Sequence, residues 1–280
     1  LLGFSVTAGA AAALPVFLTW TDRVLVGALR PAAEMGVYQA ASQIPVVFSL
    51  VLSGITGSVF GSLVADLHAQ DEKERVTALF RFATRWGIYV SAPILIILVV
   101  LSTEVVTLLY GGDYAGGQLP LLILAFGGFM NAATGPVGLL LVMVGRERAW
   151  LMASSLALVL DVVLQLILTP RLGLPGAAMA TVLSLGCAFG LGLILARRLG
   201  YWPYDALSWK ALLGVLAVGG LAWVAHDLAG SGPTLGIAVT LVTVVVGYPL
   251  TVIRMGMDEQ DLRMLRSPMR KLRLEWVLPK

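Results

Sequence analysis

The polar residues with the clearest chemical potential lie inside apolar sequence. Asp161 stands about twelve residues into an apolar stretch, and Gln165 follows one helical turn later. On a helix these two side chains share a face. A carboxylate near the middle of a bilayer is costly and suggests a functional site. Two interpretations stay open: Asp161 is a proton- or ion-linked carboxylate facing a cavity beside Gln165, or a protonated Asp161 hydrogen-bonds a neighbouring helix.

Asp22 and Arg23 form a charged pair in the outer third of the first apolar stretch. Asp22 is a second candidate for binding an ion. A guanidinium can hold phosphate through two parallel hydrogen bonds, so Arg23 is a candidate contact for an anionic ligand. The pair could instead extend to the membrane surface beside Trp20.

Neutral amides form a third set of candidates. Gln39 and Gln43 are four residues apart in the second apolar stretch, and Asn131 is central in the fourth. Each could hydrogen-bond the hydroxyls of a sugar, or could instead join one helix to another.

No catalytic constellation is present in the sequence. It has no Walker loop, no His-Glu-x-x-His zinc motif and no nucleophile elbow. His68 and His226 have no metal partner at ligand spacing. We therefore predict no enzyme activity, no cofactor and no metal site, with H+ or Na+ as the only candidate coupled ions.

The composition indicates that these polar groups belong to a membrane protein. Of 280 residues, 58% are hydrophobic and 12% charged, and the mean hydropathy is +0.90. A soluble domain is about one quarter charged. This excludes a water-soluble enzyme, a disordered chain and a nucleic-acid-binding module. We predict an all-α polytopic membrane helix bundle with about eight transmembrane helices.

Eight apolar stretches are long enough to cross a hydrocarbon core of about 30 Å. They are residues 4–28, 36–64, 87–110, 118–144, 149–169, 174–196, 209–228 and 233–254. Five contain an internal proline that should kink its helix: Pro15, Pro45, Pro93, Pro136 and Pro249. Residues 67–86 are predicted to form an interfacial amphipathic helix that leads into the third span. The basic tail is predicted to bind anionic lipid rather than nucleic acid.

Lys and Arg residues predict the orientation. With the C-terminal tail in the cytoplasm, sixteen of the nineteen lie in cytoplasmic segments and two in outer loops, while Arg23 lies inside a span. Both ends of the sequence are then cytoplasmic.

Several short motifs occur in a characteristic order. They are Thr21–Gly27, Ala33–Ala41, Leu108–Tyr114, Gly145-Arg146 and Leu168–Thr181. Over about residues 1–200 the sequence resembles the polysaccharide-biosynthesis flippases, which are Wzx-type oligosaccharide transporters of the MOP (MATE-like) superfamily. Asp161 is a departure, because such proteins commonly carry asparagine there.

The resemblance implies a division of the chain. Residues 1–200 would be the second six-helix lobe of a two-lobed transporter, residues 201–254 two additional transmembrane helices, and residues 255–280 a cytoplasmic basic amphipathic tail. An N-terminal lobe of the same chain would precede residue 1.

The resemblance also implies a function in the bacterial cytoplasmic (inner) membrane. The protein would move an undecaprenyl-diphosphate-linked oligosaccharide from the cytoplasmic to the periplasmic leaflet, for polysaccharide or O-antigen biosynthesis. A glycan polymerase and glycosyltransferases would be partners. The alternatives are a multidrug and toxin extrusion antiporter, a lipid II flippase and a non-transporting membrane scaffold.

Overall fold

The computed structural model describes residues 20–57, 59–229 and 233–254. These residues are almost entirely helical and contain no strand. Residues 20–29 form the described part of α1. The later helices are α2 (Ala32–Gln43), α3 (Val46–Thr56), α4 (Val59–Ala69), α5 (Lys73–Val100), α6 (Ser102–Tyr110), α7 (Gln118–Thr134), α8 (Val137–Met143), α9 (Glu147–Leu172), α10 (Leu174–Arg198), α11 (Ala206–Leu228), α12 (Pro233–Val242) and α13 (Tyr248–Arg254). A 3-10 turn, Gly112–Gly117, precedes α7, and a π-helical turn, Thr243–Gly247, joins α12 to α13.

The prediction of an all-α membrane bundle is confirmed. Seven helical segments of the described chain are long and apolar enough to cross a membrane: Ala32–Thr56, Lys73–Val100, Gly112–Met143, Glu147–Leu172, Leu174–Arg198, Ala206–Leu228 and Thr234–Arg254. These correspond to the second to eighth predicted spans. Most of the predicted first span, with Pro15, lies outside the described residues, as does the predicted tail 255–280.

The segment predicted as an interfacial amphipathic helix, residues 67–86, leads into the third span as expected, but its apolar face packs against protein. Residues 73–86 are the first half of α5, which continues without a break through Pro93 to Val100. Val76, Phe80 and Ala83 are buried in a core cluster that also contains Trp150 and Tyr201. Helical spacing of apolar residues is the same for a face against lipid and a face against protein, and here the partner is protein.

Breaks in the apolar segments shape the region around the candidate site. Pro45 separates α2 from α3, and Gly57 ends α3 with a positive φ of 50°. Gly135 (φ 65°) and Pro136 separate α7 from α8. A positive φ is accessible to glycine at little cost because it has no Cβ. The chain can therefore change direction at these points within apolar sequence.

Neighbouring helices approach closely where they carry glycine. α9 packs along α10, α10 along α7, α7 along α5, and α5 along α11. A Cβ at Gly87 of α5 would overlap the carbonyl oxygen of Ala132 in α7, and one at Gly128 would lie 2.6 Å from the ring of Phe48. The second contact places α3 directly against α7.

Candidate functional site

A cavity of about 760 Å³ opens among α1, α2, α3, α7, α8, α9 and α10. Asp22, Arg23 and Asn131 all line it. These three residues were predicted from sequence as ligand- or ion-binding groups, and the fold brings them to the same cavity. Their helices are far apart in sequence, so the cavity is a product of the tertiary packing.

The carboxylate of Asp22 is held from two sides. Its Oδ2 accepts a hydrogen bond of 2.8 Å from the Tyr38 hydroxyl, and its Oδ1 accepts one of 2.7 Å from the backbone N–H of Arg23. Tyr38 is fully buried. This contact fastens α1 to α2 and fixes the part of α1 that faces the cavity.

Arg23 presents a cation to the cavity. Its guanidinium lies 5.0 Å from the ring centroid of Trp20, a cation–π contact. Its Nε is buried and has no hydrogen-bond partner among the described residues. Arg23 lines the cavity and also contacts Trp20, so its position has a feature of each sequence interpretation.

Gln39 and Gln43, predicted as substrate-binding residues, are not among the described residues that line this cavity. The face of α2 that turns inward carries Tyr38 and Ser42, four residues apart, and Ser42 does line the cavity. Each glutamine is one residue further along the helix and so is rotated by about 100°. Gln43 is exposed.

Sequence reasoning missed a row of hydroxyls on the next helix. Ser49, Ser53 and Thr56 of α3 all line the cavity. Their spacing of four and three residues places them on one helical face. That spacing was visible in the sequence, but serine and threonine are ordinary in membrane helices and give no signal by type alone.

Asp161 and Gln165 belong to a buried polar network between α9 and α10. Asp161 is fully buried and its Oδ1 accepts a 3.1 Å hydrogen bond from the Ser184 hydroxyl. The Gln165 side-chain amide donates to the carbonyl oxygen of Ala177 and to the Thr181 hydroxyl, both at 3.2 Å. Neither predicted residue lines the cavity itself.

Thr181 connects this network to the cavity, because it bonds Gln165 and also lines the cavity wall. Oδ2 of Asp161 has no hydrogen-bond partner in the described part of the chain. Asp161 also lies within electrostatic range of Asp22. The two carboxylates predicted to bind an ion therefore influence each other, although they stand on different helices. Among the described residues, no three His, Cys, Asp or Glu side chains gather into a metal site.

Comparison with known proteins agrees with this architecture. The profile of a polysaccharide biosynthesis protein family matches residues 1–116. A probable low-salt glycan biosynthesis flippase, Agl15 of Haloferax volcanii, is 21% identical over 168 residues, covering 60% of this chain and 35% of that protein. The match thus spans about a third of the length of this curated relative. These matches confirm the resemblance to polysaccharide-biosynthesis flippases.

Two solved structures share the fold. The lipid II flippase MurJ, in an inward closed conformation, superposes with a TM-score of 0.63 at 16% identity, over 85% of this chain and 52% of that chain. A multidrug resistance MATE family transporter of the MOP superfamily, in an outward-facing conformation, gives a TM-score of 0.56 at 16% identity, over 90% of this chain and 67% of that chain. The chain is therefore a multi-pass membrane protein with a MOP-type fold.

Proposed function

We propose that this chain forms one lobe of a flippase that transfers an undecaprenyl-diphosphate-linked oligosaccharide from the cytoplasmic to the periplasmic leaflet. The observation that carries the proposal is Arg23, a cation with a buried, unpartnered donor in a membrane-protein cavity. The match to a polysaccharide-biosynthesis family and the similarity to a glycan flippase support a glycolipid as the substrate class.

The geometry fits the physical problem of moving such a lipid. A diphosphate and its glycan cannot cross hydrocarbon unaided, because neither can lose its hydration without compensating bonds. The cavity would hold these polar parts, with the diphosphate at Arg23, while the polyprenyl tail stays in the bilayer. A second lobe, supplied by an N-terminal segment of the same chain, would close the cavity. Rocking of one lobe against the other would then expose the site to each leaflet in turn.

Asp161 and Asp22 are proposed to couple this transport to H+ or Na+. Asp161 retains an unpartnered carboxylate oxygen in a fully buried position, where a charge without compensation is unfavourable. Binding a proton or a sodium ion would remove that charge. The Ser184 hydroxyl, which bonds Asp161, would supply a neutral oxygen beside it, and Gln165 lies one turn away on the same helix.

The proposed location is the bacterial inner membrane, with both ends of this sequence in the cytoplasm. Glycosyltransferases would make the lipid-linked substrate on that side, and a glycan polymerase would use the product on the other. Lipid bilayer contact is common to all parts of this proposal.

Substitution of Arg23 tests the proposed function. The two-lobed protein is reconstituted in vesicles, and translocation of lipid-linked oligosaccharide is measured per amount of protein. Arg23→Ala should reduce the rate at least about tenfold, because a hydrogen bond to a charged group contributes about 1.5–3 kcal/mol. Arg23→Lys keeps the charge but loses the planar fork, so its loss should be smaller.

Arg171→Ala is the matched control, since this exposed arginine lies away from the cavity. It should transport at the wild-type rate. Wild-type activity in Arg23→Ala would remove the leading substrate contact. Transport of small organic cations in place of the glycolipid would instead assign the protein to multidrug extrusion.

A further inference from the structure

We infer that four hydroxyl side chains on α2 and α3 bind the uncharged sugar residues of the transported glycolipid. These are Ser42, Ser49, Ser53 and Thr56, named here the hydroxyl face. The inference rests on the proposed function and deepens it, because it assigns a separate site to the glycan and a chemical class to its sugars.

The hydroxyl face runs along one wall of the cavity. All four side chains line the cavity, and successive members are seven, four and three residues apart. Ser49 to Thr56 lie on one helix, and at about 1.5 Å per residue they extend over roughly 10 Å. The Ser42 end of the row lies nearest Arg23, because Tyr38, one turn before Ser42, bonds the neighbouring Asp22. A diphosphate at Arg23 would therefore leave the attached glycan to follow the row toward Thr56.

The hydroxyls have bonding capacity to offer a ligand. Ser49 and Ser53 are exposed, and within the described chain their side chains make no hydrogen bond. Ser42 and Thr56 donate to backbone carbonyl oxygens at 3.0 and 2.9 Å. Their oxygens can still accept, since a hydroxyl has two lone pairs besides its donor. Sugar hydroxyls both donate and accept, so they match this mixture.

A second helix contributes to the same space. Asn131 of α7 lines the cavity, and its side-chain amide makes no hydrogen bond to the described residues. Gly128, three residues before Asn131, contacts Phe48, which precedes Ser49, so α3 and α7 lie side by side along this part of the cavity. Polar groups that lack protein partners thus come from α1, α3 and α7 and meet in one cavity. This convergence distinguishes the wall from an isolated row of small residues on a helix surface.

The charges of the lining indicate neutral sugars. Asp22 and Arg23 are its only charged residues among those described, and they are adjacent at one end. Beyond them the walls carry hydroxyls, one amide and apolar side chains that include Phe189 and Trp150. An acidic sugar placed along the hydroxyl face would bury a carboxylate with no cation from this lobe to compensate it. The apolar side chains suit the C–H faces of neutral sugars.

Binding to three polyprenyl diphosphate probes tests the inference. The first probe carries no sugar, the second a neutral tetrasaccharide, and the third the same tetrasaccharide with uronic acids. Affinities are measured with the purified two-lobed protein in nanodiscs. Wild-type protein should bind the neutral glycolipid about tenfold more tightly than the bare lipid, since each hydrogen bond contributes modestly and several act together. It should bind the acidic glycolipid more weakly than the neutral one.

A triple variant, Ser49→Ala/Ser53→Ala/Thr56→Val, should lose this tenfold preference and keep its affinity for the bare lipid. The matched control removes three helical hydroxyls outside the cavity, Ser62→Ala/Thr103→Val/Thr107→Val, and should keep the preference. The bare-lipid affinity also reports whether the triple variant has folded.

Two results would overturn the inference. One is a neutral-glycan preference that persists in the triple variant, and the other is a wild-type protein that prefers the acidic glycolipid. Failure of the proposed function gives a different pattern, in which wild-type protein binds none of the three probes and Arg23→Ala changes nothing.

Discussion

Replacement of Asp205 by asparagine tests the ion pair that fastens α11 to α5. The Asp205 Oδ2 accepts a 2.9 Å hydrogen bond from Nη1 of Arg85, whose side chain is 3% exposed. The other carboxylate oxygen accepts a 2.8 Å bond from the backbone N–H of Ser208 and so caps α11. Asparagine caps a helix about as well as aspartate. Asp205→Asn therefore removes the charge and leaves the cap.

The burial of the pair sets the expected size of the effect. Removing one partner of a fully buried ion pair costs about 3–5 kcal/mol, whereas exposed pairs contribute about 0–1 kcal/mol. Asp205 is 27% exposed, which places this pair between the two cases. We expect Asp205→Asn to lower the free energy of unfolding by about 2 kcal/mol. Asp205→Ala should lower it by about 1 kcal/mol more, because the cap is lost as well.

Thermal unfolding of the purified protein, followed by fluorescence-detected size exclusion, measures the effect. A loss of about 2 kcal/mol corresponds to a decrease in Tm of about 4–8 °C for a protein of this size. Asp227→Asn, an exposed carboxylate at the other end of α11, is the control and should shift Tm by less than about 2 °C. An unchanged Tm in Asp205→Asn would show that the ion pair contributes nothing to stability.

The pH dependence gives an independent check. Burial raises the pKa of Asp205, but the hydrogen bonds from Ser208 and the charges of Arg85 and Arg81 outweigh it, so the pKa is lowered in the folded protein. A lowered pKa stabilises the fold above the unfolded value of about 3.9, and this contribution is lost as pH falls through the folded value. The Tm difference between wild type and Asp205→Asn should therefore persist from pH 7 to about 5 and begin to narrow below about 4. A difference that stays constant down to pH 3 would refute the role of the charge.

Three further outcomes are expected. Gly87→Ala should destabilise the protein by about 1–3 kcal/mol, because the new Cβ would overlap a backbone carbonyl of α7. Gly190→Ala is the control and should not destabilise it, since there is open space around Gly190. Equal Tm values for the two variants would contradict the close packing of α5 and α7. Asp161→Asn should abolish the response of glycolipid transport to an imposed H+ or Na+ gradient, while substrate binding stays near the wild-type level. An unchanged gradient response would make Asp161 a structural residue, since an amide can replace a protonated carboxyl group in a hydrogen bond. A single cysteine at Gly112 should react with a membrane-impermeant reagent from the periplasm and one at Gln70 should not; the reverse labelling would invert the predicted orientation.

The helices were predictable because crossing a bilayer imposes a length and a composition. Two of the interruptions within these helices were not predictable. Leu101 separates α5 from α6 inside the predicted span 87–110, and Gly57 ends α3 inside the predicted span 36–64. Mean hydropathy is insensitive to such breaks, since one residue barely changes the average. The breaks at Pro45 and at Gly135-Pro136 did carry a local signal, because both prolines were expected to kink their spans.

The candidate site was predictable where it contains residue types that are energetically unfavourable in lipid. Asp22, Arg23 and Asp161 stand out in apolar sequence because charged groups rarely occur there without a reason. The hydrogen-bond partners of these residues depend on how two helices are rotated against each other. The bond from Ser184 to Asp161 spans 23 residues and requires the particular register of α9 on α10. The same dependence explains why Ser42 rather than Gln43 faces the cavity.

The position of Thr181 suggests how an ion at Asp161 could influence a substrate that it does not touch. Thr181 lines the cavity and bonds Gln165, while Ser184, nearly one turn further along α10, bonds Asp161. A cation bound at Asp161 would also reduce the negative charge that acts on Asp22, beside Arg23. With less negative charge nearby, Arg23 would attract a diphosphate more strongly. By thermodynamic linkage, a cation at Asp161 and a diphosphate at Arg23 would each raise the affinity of this lobe for the other by the same factor.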